Sequence, residues 1–84
     1  MNKEKFVKYL ESKHEIKRDQ YGHYKIRGKD GIERRFKLQK TSVRFERWNI
    51  VLHRWHKIWS HFYKNLEITP SGKIREDIRK RISD

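Results

Sequence analysis

Hydrophobic positions along this chain change period twice, and each period predicts a different element. Residues 3 to 14 set Phe6, Val7, Tyr9 and Leu10 against Lys and Glu on the opposite side, behind a potential cap at Asn2. This predicts a short amphipathic helix that stops between residues 13 and 15. From Tyr21 the period becomes two: Gly22, Tyr24, Ile26 and Gly28 alternate with polar residues, and so do Ile32, Arg34, Phe36 and Leu38. Lys29, Asp30 and Gly31 between them supply the left-handed positions of a tight turn, so the two runs predict a β-hairpin. A shorter alternation through Val43 and Phe45 adds a third strand beginning near Ser42.

The next stretch follows three- and four-residue steps. Trp48, Val51, Leu52, Trp55, Ile58, Trp59, Phe62, Tyr63 and Leu66 form one side, and Asn49, His53, His56, Lys57, Ser60, His61, Lys64 and Asn65 the other. This predicts a long Trp-rich helix over 48–66, with the tryptophans as core. Trp, Ile, Val, Phe and Tyr also favour strands, so a β-rich course for 48–68 is the alternative. The only proline, Pro70, breaks the pattern, and Ser71 can cap a terminal helix in which Ile74, Ile78 and Ile82 recur. The expected fold is one small α+β domain over 1–84. Its parts are an N-terminal helix and connector (1–20), a basic hairpin region (21–47), the Trp-rich helix (48–66) and a C-terminal helix (70–84).

Composition narrows the class. At 33% hydrophobic and 40% charged, 84 residues sit near the edge of what can bury a core. Four Phe, four Tyr and three Trp argue against a disordered chain. The absence of cysteine excludes disulfides and thiolate metal sites. No apolar run approaches the ~18 to 20 residues of a membrane span, and no signal-peptide core follows Met1, so the expected location is cytoplasmic.

Charge points to the partner. The formal net charge is +12, and residues 21–47 carry half of it, with nine Lys and Arg against Asp30, Glu33 and Glu46. Such an excess has a polyanion as its usual partner, here DNA or RNA. An acidic protein or a second copy of the chain are other partners; a membrane is not expected. Alternate residues on one strand face lie ~7 Å apart, close to the step between phosphates. The expected contacts are Lys25, Arg27, Arg35, Lys37, Lys40, Arg44 and Arg47, with Tyr21 as a ring for stacking bases. Tyr24 reads as core. A Trp-rich helix could also lie on a membrane surface or dock on a protein. The spacing of His53, His56 and His61 does not bring three imidazoles to one point, so neither a metal nor a cofactor is expected. The sequence contains no phosphate-binding glycine loop, nucleophile motif or paired carboxylates, and the one candidate acid or base is His23.

Residues 5–26, KFVKYLESKHEIKRDQYGHYKI, resemble the opening of HicA-type mRNA interferase toxins. That resemblance implies a helix, a connector and a strand bearing a Gly-Ser-His segment, in a small basic fold like a double-stranded-RNA-binding domain, and RNA cleavage as activity. Here the serine is absent, His23 follows Gly22 directly, and Tyr24 holds the position of the family's catalytic histidine. A one-residue shift on a strand turns a side chain to the other face. Basic strands in a hairpin between helices also resemble the arm-type DNA-binding domains of phage integrases and other small phage proteins. The expected function is therefore non-catalytic nucleic-acid binding. The alternatives are a HicA-like RNA-cleaving toxin and a protein-interaction or inhibitor module.

Overall fold

Gly31, at φ 78°, closes the turn between strands β2 (Tyr24–Arg27) and β3 (Glu33–Leu38), and this hairpin is the centre of a larger sheet. The computed structural model describes residues 1–13 and 15–76. Strand β1 (Lys17–Arg18) pairs with β2, β3 pairs with β4 (Ser42–Asn49), and β4 pairs with β5 (Arg54–Phe62). All four pairings are antiparallel, so the five strands form a meander in chain order. A single 3-10 turn (Tyr63–Asn65) leads into a two-stranded sheet of β6 (Leu66–Ile68) and β7 (Ile74–Glu76).

The helix α1 (Lys3–Glu11) begins where Asn2 accepts a hydrogen bond from the backbone N–H of Lys5. Its period places Phe6 and Leu10, both fully buried, against one face of the sheet. That face carries an aromatic row: Tyr24, Phe36, Phe45 and Trp59 are register partners across β2 to β5. Phe36 stacks on Phe45 at 4.6 Å and meets Phe6 edge-on at 5.7 Å, the arrangements aromatic pairs prefer. Val43, Tyr63 and Leu66 complete the core. The tyrosines stitch its rim: Tyr63 donates to the carbonyl of Gln39, Tyr9 to that of Gly72, and Tyr24 to Glu11.

The α+β expectation is corrected by this architecture, which is mostly β with one short helix among the described residues. Residues 48–66 are not a Trp-rich helix: they finish β4, turn, form β5 and enter β6. Two local features decide against the helix. Asn49 folds its side chain back to accept from the N–H groups of Val51 and Leu52, and His53 adopts φ 51°, so the chain reverses at once. Among the residues of β5, Trp55, Ile58, Trp59 and Phe62 are of the types that favour a sheet. The predicted C-terminal helix over 70–84 fails where it can be seen, because Ile74–Glu76 is strand β7; positions 77–84, with Ile78 and Ile82, lie outside the described residues.

A β-bulge accounts for the misleading spacing of the tryptophans. Phe45 pairs with Trp59 but Glu46 pairs with Lys57, so Ile58 has no partner and the alternation of β5 slips by one. Trp55 and Trp59, four apart, would share a face in a regular strand. Here Trp59 joins the core, whereas Trp48 and Trp55 lie on the opposite face and Phe62 is half exposed.

Candidate nucleic-acid interface

Helix α1 covers one face of the meander and, among the described residues, the other is open. Antiparallel partners point to the same side, so the register reads that open face directly. One row across the strands is Lys17, Lys25, Arg35, Glu46 and Lys57. A second is Lys37, Arg44 and Ser60, and a third begins with Arg27 and Glu33. Trp48 and Trp55 close the surface toward the β4–β5 turn, edge to face at 5.4 Å.

The row is organised around a carboxylate. Glu46 is only 4% exposed although it stands on the uncovered face, because Arg35 and Arg44 roof it. Arg35 Nε donates to one oxygen at 2.7 Å; Arg44 Nε lies 2.9 Å from the other, near enough for an ion pair but not aligned for a hydrogen bond. The guanidinium of Arg35 also lies over Trp55, with Cζ 4.2 Å from the ring centre, and Lys25 approaches the same ring at 5.9 Å. Arg35 is thus held on three sides, by Glu46, Trp55 and His23. Lys37 and Lys57, by contrast, are exposed and make no ion pair among the described residues.

His23 sits at the end of this network. Its Nδ1 is 3.3 Å from Arg35 Nη1 and 3.9 Å from Asp19. A guanidinium can only donate, so Nδ1 accepts and the proton of the neutral ring is on Nε2. Burial and then the Arg35 charge push the imidazole below its ordinary range, which keeps it neutral near pH 7. Burial pushes the Asp19 carboxyl up, but the N–H groups of His23 and Tyr21 and the neighbouring positive charge outweigh this and set it below the usual value.

Of the residues expected from sequence, the structure brings Lys25, Arg27, Arg35, Lys37 and Arg44 onto this one face. Tyr21 borders it, 74% exposed in the β1–β2 turn beside His23, and is freer than a half-buried edge residue. Lys40 is exposed in the turn between β3 and β4. Arg47 is on the other side, opposite Arg34 and His56 on the helix-bearing face. Arg34 there is engaged by Asp30 through both nitrogens, and that contact holds the Asp30 carboxyl at about 2. Tyr24, at the position of the catalytic histidine in the HicA-type resemblance, is a core residue that faces away from the network.

Sequence reasoning missed Lys17, Lys57, Trp48 and Trp55 as members of the surface. Trp48 and Trp55 were assigned to a helix, and only strand pairing sets them side by side beyond Glu46. Among the described residues no cluster of His, Asp and Glu has the geometry to hold a metal ion, and no helix is long and apolar enough to cross a membrane. What the open face offers is a set of cations at strand spacing around an arginine held over an indole ring. That equipment suits repeated phosphates and flat rings, and no family model, curated protein or solved structure matches the chain to add to it.

Proposed function

We propose that this protein binds nucleic acid, without cleaving it, on the open face of the five-stranded sheet. The reading is carried by one observation: Lys25, Lys37, Arg44 and Lys57 surround an Arg35–Trp55 contact on the face that α1 leaves uncovered. The cations take phosphates. Unpaired bases stack on Trp48 and on the exposed ring of Tyr21 at the border of the face, as rings do on such platforms in single-strand binding. Unpaired segments fit better than regular duplex, whose bases are not free to stack on a sheet.

The test is a salt-titrated binding measurement with single- and double-stranded DNA and RNA. Each phosphate contact contributes ~0.7 to 0.9 to the slope of log affinity against log salt, so Lys37→Glu with Lys57→Glu lowers that slope and weakens binding at every salt concentration. Both side chains are exposed, and since Lys57 stands opposite Glu46 the binding of the double variant is compared at equal fraction folded, read from its urea curve. Absence of binding at low salt, or a double variant that binds like the parent, rejects the reading. Cleavage of RNA without added metal, lost in His23→Ala, replaces it with the nuclease alternative, since a neutral imidazole beside a guanidinium is the group that would act as base.

A further inference from the structure

The β4–β5 turn exposes three consecutive aliphatic side chains, Ile50 at 63%, Val51 at 80% and Leu52 at 53%. They are not a loose loop. Asn49 Oδ1 accepts from the N–H groups of Val51 at 3.0 Å and Leu52 at 2.9 Å, and His53 holds a left-handed φ of 51° with its ring edge-on to Trp48. A turn that needed only to reverse the chain would carry Asn, Gly or Asp at these positions. Instead the fold fixes an apolar tip at the end of its longest strand pair and gives it no core to cover.

Charge narrows what can cover it. From Arg47 to Leu66 the sequence contains no Asp or Glu, while Arg47, Arg54, Lys57 and Lys64 stand in that stretch with three histidines. In the fold Arg47 and Arg54, both exposed, stand beside the tip, whereas Lys64 lies beyond the far end of β5; the tip is an apolar wedge flanked by cations, and its complement is a polyanion with an apolar interior. Trp48 and Trp55, at the root of the turn, belong to the open face and make the two surfaces continuous.

We infer that the tip of residues 50–52 caps the last base pair where a single strand leaves a duplex, with the released strand running over the open face. This rests on the proposed function and specifies its substrate as a single-strand/duplex junction in DNA or RNA. Aliphatic side chains are used by proteins as wedges against base steps, where they unstack the neighbouring base, and a base that has already left the duplex offers the least resistance to such a wedge. The cations behind the tip neutralise the two backbones that diverge there.

The experiment compares a short single strand with the same strand ending in a base-paired stem, and places 2-aminopurine at the terminal pair. The variants are Val51→Ser and the triple Ile50→Ser, Val51→Ser, Leu52→Ser, all at positions more than half exposed. The wild type is expected to prefer the junction by about tenfold and to raise 2-aminopurine emission; the triple variant loses both but keeps single-strand affinity within about twofold. Equal junction preference in wild type and triple variant overturns the inference and leaves the open-face reading standing. If neither probe binds at low salt, both readings fall; if the single strand binds and the junction does not, the inference alone falls. Val51-dependent binding to phosphatidylglycerol vesicles without junction preference assigns the tip to a membrane, and a dimer that Val51→Ser dissociates assigns it to self-association; each result rejects the wedge.

Discussion

Arg35 and Lys37 are neighbours on one strand face with the same charge, yet they do different work. Removing Lys37 takes one exposed cation away from solvent. Removing Arg35 leaves the carboxylate of Glu46, 4% exposed, with Arg44 as its remaining ion-pair partner. Because Arg44 still pairs with Glu46, the loss is that of one charge-assisted hydrogen bond and of the Trp55 contact, ~2 kcal/mol, whereas an exposed substitution stays within ~0.5 kcal/mol. Urea unfolding is expected to show this gap between Arg35→Ala and Lys37→Ala, and comparable unfolding midpoints for the two would mean that Glu46 is solvated after all. An effect of Arg35→Ala on binding therefore has to be corrected for the fraction folded, which is why Lys37 and Lys57 are the better probes of the surface.

Element by element, the sequence was most readable where one signal dominated. The cap at Asn2, the two-residue alternation of β2 and β3 and the glycine turn each have one structural solution, and the third strand near Ser42 follows from them. The 48–66 stretch has two. Large aromatics at three- and four-residue steps fit a helix stripe, and they also fit two paired strands in which a bulge at Ile58 sends Trp55 and Trp59 to opposite faces of the sheet. Nothing local announces a bulge, and the turn signal at Asn49 is one residue long. The candidate site was half legible for the same reason: the cations of β2, β3 and β4 were evident, while the tryptophans complete the surface only once β5 is a strand. The two assignments of tryptophan predict different costs. Trp59→Ala removes a ring packed on Phe45 at 5.4 Å and is expected to destabilise by ~3 kcal/mol; Trp55→Ala removes the seat of Arg35 and costs ~1 kcal/mol. Equal losses in thermal or urea unfolding would contradict the division of the two residues between faces.

For the molecule as a whole, a net charge of +12 on 84 residues means that folding concentrates like charges. Salt screens their repulsion over ~10 Å at 0.1 M, but it weakens the buried Arg35–Glu46 pair far less. Stability is therefore expected to rise with added sodium chloride while nucleic-acid affinity falls, and a urea midpoint that drops with salt would show exposed ion pairs to be the larger influence. The order of the strands carries a kinetic consequence as well. Each strand of the meander pairs with its neighbour in the chain, so the sheet can zip up through short loop closures, whereas Phe6 and Tyr63, whose rings lie 5.7 Å apart, must be brought together from distant parts of the chain. The sheet with its open face is therefore expected to form early, with the helix docking on the other side in a slower step that locks it.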